Sequence, residues 1–517
     1  MRQYVAMLMP MVVGSGCSLL YNPSNLGKAN PDASDAPMID AEMTADADID
    51  APPLADANPG MLTLLDVTPK VLLEGQGQFG SRPAVLVIKG HHIVSDNLSV
   101  AITPSTGITV GATTVAMNGD YIAVEVSVAI DTNANAGMTP LTITVMQNGG
   151  PGGGVALTNK LSLQNLPQFP AGTSIATGSL AELYSDVNTG NVTFTGTARA
   201  SVRSVSRIKM GNITANGGNG STNGAGGAGP GACAGGAPAS NAPCLQSDGG
   251  GVGAGGDSGG GGGGFAVAGN PGVTGDAGTG GAGGGAHGDN QIISFAAQGA
   301  GGGGGGKGAL SNSGGGGGGG GTIELTAGGN IEVGTIDAKG GAGGAGSSVL
   351  SLGASGGGGG GSGGTVVLRS DTGTIVSGAI AATPGGGGAS GGTGAGAGGA
   401  GAPGRVRVDV ASGSLPSSNP SLHRGPAFVN VPTVVTTNKV MLSMTGANAD
   451  VVNAYVIPDD GMVHLGEPMG MMFNNGMLSF QGVLLPGYNK LCVTLEPGMR
   501  GHADTLADKC IELAYLP

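Results

Sequence analysis

Between Gly211 and Gly404 the chain carries 80 of its 112 glycines, in runs that separate short β-branched segments recurring in one order. Glycine has no functional group, loses more conformational freedom on folding than any other residue, and fits where backbones must touch. A stretch of this kind specifies a scaffold, not a reaction centre. The repeat emerges when its copies are stacked. Ile208 to Gly220 matches Ile331 to Gly343 position by position, and Ile375 to Gly387 is a looser third copy. After each glycine arm comes an alternating strand, starting at Thr322, Thr365 and Arg405, set 43 and then 40 residues apart. Fixed periods of this length mark stacked repeats in which no unit buries its apolar face alone. The pattern predicts an all-β chain with a short β-solenoid or stacked sheet over 170–415. Asn191 to Thr195 extends it upstream, and the strands at Thr322, Thr365 and Arg405 lie in parallel register.

The arms themselves, such as Gly301 to Gly306, Gly314 to Gly321 and Gly356 to Gly364, admit two readings. Backbone entropy of roughly 1–2 kcal/mol per residue favours flexible loops. The near absence of charge favours packed polyproline-II-type strands, whose bare Cα atoms let neighbours approach and exchange backbone hydrogen bonds. Collagen does not fit, because the runs lack a Gly-X-Y register.

Glycine-poor segments flank the repeat. From 61 to 165 short alternating strands, among them Ala84 to Lys89 and Tyr121 to Ile130, are punctuated by Pro, Gly and Asn, the spacing of a β-sandwich. The phrases DVTP from Asp66, VIKG from Val87, YIAVEV from Tyr121 and LTITV from Leu141 resemble the immunoglobulin-like IPT/TIG family. That resemblance implies a binding or spacer module without catalytic residues. From 426 to 517 a second β-rich segment reads as a small sandwich that closes the open end of the stack. Its methionines (Met462, Met469, Met471, Met472, Met477) read as core and loop packing.

The ends of the chain indicate location. Residues 1–17 carry one positive charge at Arg2, an apolar run from Tyr4 to Val13 and small residues before Cys17. They resemble a bacterial lipoprotein signal, although Gly14 stands where that family has a large apolar residue. The resemblance implies lipidation of Cys17 and, with Ser18 following, an outer-membrane address. The apolar run is too short to span a bilayer, and a buried N-terminal element is the alternative. Residues 18–60 read as a disordered acidic tether of Asp, Ala and Pro. Asn30 to Pro59 holds eight acids and no Lys or Arg, against a net charge of −13 for the whole chain. No basic patch suggests nucleic acid.

Without Cys17 four cysteines remain, in two local pairs. In an exported chain the simplest connectivity is Cys233–Cys244 and Cys492–Cys510; metal binding is the alternative, without CxxC spacing to favour it. Gly301 to Lys307 only loosely evokes a phosphate loop, and Asp248, Asp257, Asp276 and Asp289 share no calcium-binding period. Glu324, Glu332, Asp337 and Asp371 read as solvated outward positions of alternating strands. No catalytic residue, cofactor or metal ligand is expected.

The chain as a whole resembles the glycine-rich exported proteins of myxobacteria. This implies a non-catalytic surface lipoprotein acting as an adhesive, matrix or envelope scaffold. Its partners are then the membrane, through the lipid, and an extracellular polysaccharide or surface protein. A β-helix carbohydrate-active enzyme or carbohydrate-binding protein is the alternative, against which stands an aromatic content of 3% with no Trp. An ice-binding protein is a second alternative, lacking a regular threonine face. Metabolic labelling with a palmitate analogue is expected to tag the wild type and miss Cys17→Ser; equal labelling of both removes the anchor.

Overall fold

The structure, a computed structural model, describes residues 61–131, 135–147, 154–244, 248–293, 299–306, 312–349, 353–459, 461–465, 470–495 and 506–517. Cys17, the tether of 18–60, Lys307 and Met469 lie outside the described residues. The fold is all-β, and helix among the described residues is confined to short 3-10 turns such as Thr177–Ser179.

The first part contains eight strands: β1 (Thr63–Thr68), β2 (Val71–Leu73), β3 (Ala84–His91), β4 (Leu98–Thr103), β5 (Ile108–Val115), β6 (Tyr121–Val128), β7 (Gly137–Gln147) and β8 (Gly154–Asn165). They form two four-stranded sheets, in the orders β1-β3-β6-β5 and β2-β8-β7-β4. Alternate residues of each sheet meet in one core, with Leu86, Ile88, Ile122 and Val124 opposite Ile102, Leu141, Ile143 and Val145. In β3 the intervening Val85 and Val87 are buried too, against Tyr488, Ala514 and Leu516 near the C-terminus. Burial on both faces explains why β3 reads as a continuous apolar run instead of an alternating one.

The repeat builds three parallel sheets to which successive units add one strand each. The first holds Ala200–Ser204, Thr322–Ala327, Thr365–Ser370, Arg405–Asp409 and His423–Arg424. The second holds Val187–Asn188, Ile208–Met210, Ile331–Val333 and Ile375–Ser377. The third runs from Ser174–Ala176 through Val192–Thr195, Ile213–Thr214, Ile336–Asp337 and Ile380–Ala381 to Ser418–Asn419. The expected register is observed, with Thr322 opposite Thr365 and Thr365 opposite Arg405. Like residues therefore stack in columns: Val202, Leu325, Leu368 and Val408 in the first sheet, Ile208, Ile331 and Ile375 in the second, Ile213, Ile336 and Ile380 in the third. All belong to a single core. Asparagines at the corners serve the next unit: Asn191 Oδ1 accepts from the Asn212 amide at 2.8 Å and Asn212 Oδ1 from the Thr335 amide at 2.9 Å.

Ala200 and Ile323 are neighbours in the first sheet although a long glycine-rich excursion separates them in sequence. Its arms are packed, not looped out. Residues 314–321 lie amid six other segments and bond to them through backbone groups alone. Gly314, Gly317 and Gly320 donate to Gly356, Gly359 and Ser362; Gly315, Gly318 and Gly321 donate to Ser221, Gly218 and Ala215; Gly316 and Gly319 donate to Gly236 and Cys233. In return Gly226 and Gly229, Gly302 and Gly305, and Gly341 and Gly344 donate to its carbonyls. Each neighbour is met at every third residue, the repeat of a threefold helix without internal hydrogen bonds. The flexible reading thus fails for the described arms, because neighbouring backbones satisfy the polar groups that glycine side chains cannot.

The last part pairs Ala427–Val429, Lys439–Thr445 and Met477–Val483 in one antiparallel sheet. A second sheet is centred on Val451–Pro458, Gly487–Thr494 and Asp508–Tyr515, and both share one core. The expectation that this part closes the end of the stack covers only half of what is seen. It does meet the last units, where Thr445 Oγ1 donates to the Val410 carbonyl at 3.0 Å. It also lies along the flank of the first sheet, with Leu506 packed on Val367.

Hydrogen exchange is expected to show protected amides at Gly314 to Gly321 and Gly356 to Gly364; random-coil rates there contradict the packed arms. A Cβ on Gly317 would overlap the Gly341 carbonyl, whereas one on Gly227 meets nothing within 4 Å. Chemical denaturation should therefore show Gly317→Ala losing at least about 1–3 kcal/mol, with Gly227→Ala neutral or gaining up to about 1 kcal/mol.

Candidate functional site

Alternation along Arg405–Asp409 sends Val406 and Val408 into the core and leaves Arg405, Arg407 and Asp409 on the opposite face of the first sheet. That face is not solvated, and Arg407 and Asp409 are both 0% exposed. Arg407 grips Asp409 with two parallel bonds, Nε to Oδ1 and Nη2 to Oδ2, each 2.8 Å. Arg369, one strand over, donates from Nε to Oδ2 at 3.1 Å. The remaining donors bind main chain: Arg407 Nη1 reaches the Gln291 carbonyl at 2.9 Å, and Arg369 Nη2 reaches the Asp508 carbonyl. Burial alone pushes the Asp409 carboxyl up, but the charges of Arg407 and Arg369 outweigh it and hold the group below its ordinary value.

Several other charged groups on this flank are likewise engaged. Lys509, 1% exposed, donates to Asp371 Oδ1 at 2.6 Å and to the Ser370 carbonyl at 2.9 Å. Asp450 pairs with His423 Nε2 at 2.8 Å and accepts from Gln291 at 3.0 Å. Burial pushes the Asp450 carboxyl up, and these two partners pull it below its usual range. Arg405 stacks over the Phe265 ring and donates to the His287 carbonyl at 2.5 Å. Together these contacts join the repeat, the 287–292 stretch and the C-terminal part.

Among the carboxylates expected on solvated outward positions, Glu332, Asp337 and Asp371 stay open to solvent. Glu324 does not. It is 2% exposed, accepts from Ser201 Oγ at 2.6 Å and faces Arg203 at 3.7 Å. Alternation assigns a residue to a face but says nothing of what covers that face, and here other parts of the chain do. For the same reason alternation does not mark Arg407 and Asp409 as buried. Their spacing of two along a strand was the available signal, since such residues share a face.

The cysteines divide. Cys492 and Cys510 stand directly opposite on antiparallel strands and form a disulfide, as expected. Cys233 and Cys244, the other expected pair, are also brought together, here as thiols that share a hydrogen bond. Each is held by the glycine layer, with Gly319 donating to the Cys233 carbonyl and Gly301 to Cys244 Sγ at 3.4 Å. The bond to Cys233 and burial push the Cys244 thiol up, so a reactive thiolate is disfavoured.

Gly301 to Gly306 forms no phosphate cradle, because Gly302, Gly303 and Gly305 donate to the carbonyls of Gly317, Gly261 and Gly314. Of the methionines, Met471 lies in the C-terminal core while Met462, Met472 and Met477 are exposed. Among the described residues no group of three or more His, Cys, Asp or Glu is placed to hold a metal ion. Comparison with family models, curated proteins and solved structures returns no match.

Replacing Asp409 by Asn removes the carboxylate that the buried Arg407 and Arg369 both grip, and thermal or denaturant unfolding should show a loss of about 3–5 kcal/mol near neutral pH. The folded carboxyl titrates below its ordinary 3.8. Its contribution is therefore complete above that value and fades as pH falls through the lower folded value. The gap between wild type and Asp409→Asn should accordingly narrow in strong acid; a gap independent of pH contradicts the ion-pair account.

Proposed function

We propose that this protein is a non-catalytic surface lipoprotein, an adhesive, matrix or envelope scaffold tethered to the outer membrane through Cys17 and 18–60. The carrying observation is that the charged groups on the first sheet of the repeat are committed to the chain itself. Arg369, Arg407 and Asp409 bind one another, and Lys509 ties the C-terminal part to Asp371. A carbohydrate-active enzyme on stacked parallel sheets needs acids open to substrate along one face, whereas Glu324 and Asp409 of this face are buried. The ordered glycine layer adds rigidity and presents its outer arms without side chains to bar a close-fitting surface.

Within this reading the repeat of 170–415 is a β-solenoid, supported by its three parallel sheets and residue columns. The segment of 61–165 is an IPT/TIG-like immunoglobulin fold. With β1, β3, β6 and β5 as strands A, B, E and D, and β4, β7 and β8 as C, F and G, its sheet orders follow the constant-type arrangement. The segment of 426–517 is a small sandwich, supported by its two sheets about one core.

A glycan array combined with a turnover assay tests the reading. Retained binding of surface polysaccharide without product formation is the expected result, and release of shorter sugars from a bound glycan overturns it.

A further inference from the structure

The glycine layer has a direction. Three arms, Asn216 to Gly220, Lys339 to Gly346 and Thr383 to Ser390, each follow a strand of the third sheet and stack in the order of those strands. Gly217 and Gly220 donate to the carbonyls of Lys339 and Ala342, and Gly340, Gly343 and Gly346 donate to those of Thr383, Gly386 and Ala389. Every one of these bonds runs from an amide of one arm to a carbonyl of the next. Asparagine side chains reach the same way, with Asn216 Oδ1 and Asn219 Oδ1 accepting from the Lys339 and Ala342 amides at 2.7 and 2.9 Å.

A stack with a direction ends in two unlike faces. At the last arm the equivalent donor positions are 384, 387 and 390. Pro384 has no amide hydrogen, and among the described residues nothing accepts from the Gly387 and Ser390 amides. At the first arm the equivalent acceptors are the carbonyls of Asn216 and Asn219, and no amide of the described residues reaches them. Both faces are open. Gly386, Gly387, Asn216 and Asn219 are exposed, and a Cβ on Gly386 meets nothing within 4 Å. Groups three residues apart on a threefold helix lie about 9 Å apart, so the free donors and the free acceptors share one spacing. Unpaired backbone groups in a regular row receive a further chain, as an edge strand does in a sheet.

We propose that a second copy of this chain docks on the last arm, the Gly387 and Ser390 amides of one copy donating to the Asn216 and Asn219 carbonyls of the next. The chemistry of the row fixes the occupant. It must bring carbonyls at every third residue on a backbone whose side chains stand clear, and this chain carries such an arm at the other end of the same stack, its asparagines turned away toward Lys339 and Ala342. Donors and acceptors lie on different surfaces, so the contact is heterologous and repeats into an open assembly instead of closing as a dimer. It deepens the matrix reading of the preceding section and rests on that reading only for where assembly takes place.

Sedimentation velocity and light scattering over a concentration series test it, on the full chain in its Cys17→Ser form, which removes lipid as a route to association. Assemblies that grow beyond the dimer with concentration are expected. Gly386→Lys, at a position with room for a side chain, should raise the concentration of half-assembly roughly tenfold or more, the scale of one or two lost hydrogen bonds. Ser390→Pro removes one donor in a conformation that proline adopts, and should do the same. Thermal unfolding checks that each variant folds. Mixed with the parent chain, Ser390→Pro keeps its acceptor row and should cap growth, shortening the assemblies. A chain that is monomeric at every soluble concentration, a closed dimer, or assembly unchanged in both folded variants overturns the proposal. A chain that assembles but binds no polysaccharide on the array keeps this contact and loses the adhesive reading; a monomer that binds polysaccharide does the reverse.

Discussion

Backbone-to-backbone hydrogen bonding between glycine arms, at separations that leave no room for a Cβ, is the constraint on which the rest of the structure depends. The excursion between Ala215 and Thr322 departs from the stack and must return in register, since Ile213 pairs with Ile336 and Ala200 with Ile323. A floppy excursion would leave that return to chance. A layer in which Gly314 to Gly321 bonds to six neighbours instead fixes where the chain re-enters. Backbone entropy opposes ordering so many glycines, and what offsets it is distributed over many interstrand bonds. Single substitutions at crowded positions should therefore act on the whole layer.

The second constraint is electrostatic. The face of the first sheet that points away from the apolar columns is itself covered, so its charges cannot rely on water. Arg407, Arg369 and Asp409 meet the requirement by binding one another and the carbonyls of the covering segments. Such a cluster contributes less to net stability than an apolar patch of equal size. Its directional bonds nevertheless set how the C-terminal part sits on the flank, because Asp508 and Lys509 supply partners that only one placement brings within reach.

The N-terminal part is held by both of the others. Val85, Val87 and Ala123 pack against Tyr488, Ala514 and Leu516. The Phe79 carbonyl accepts from the Asn330 amide at a corner of the repeat, and the Phe79 ring lies under Arg207 at 3.6 Å. Three parts that meet pairwise leave a space where all three converge, a cavity of about 390 Å³. Its charged lining comes from segments far apart in the chain, from Arg82 to Glu512.

The sequence by itself determined the strands and their pairing in the repeat. Period-two alternation within Thr322 to Ala327 and the spacing to Thr365 and Arg405 are local patterns, and apolar columns form only if like positions stack. It also determined the Cys492–Cys510 bond, whose partners fall on neighbouring strands. Tertiary structure alone decided whether the arms are ordered, because a run of identical glycines carries no pattern that tells which backbone lies beside which. It alone decided that Glu324 and Asp409 are buried, since alternation selects a face and only packing selects what covers it. Bringing Arg82, Arg369 and Lys490 around one cavity likewise required three separate parts to dock, a long-range event that no local pattern encodes.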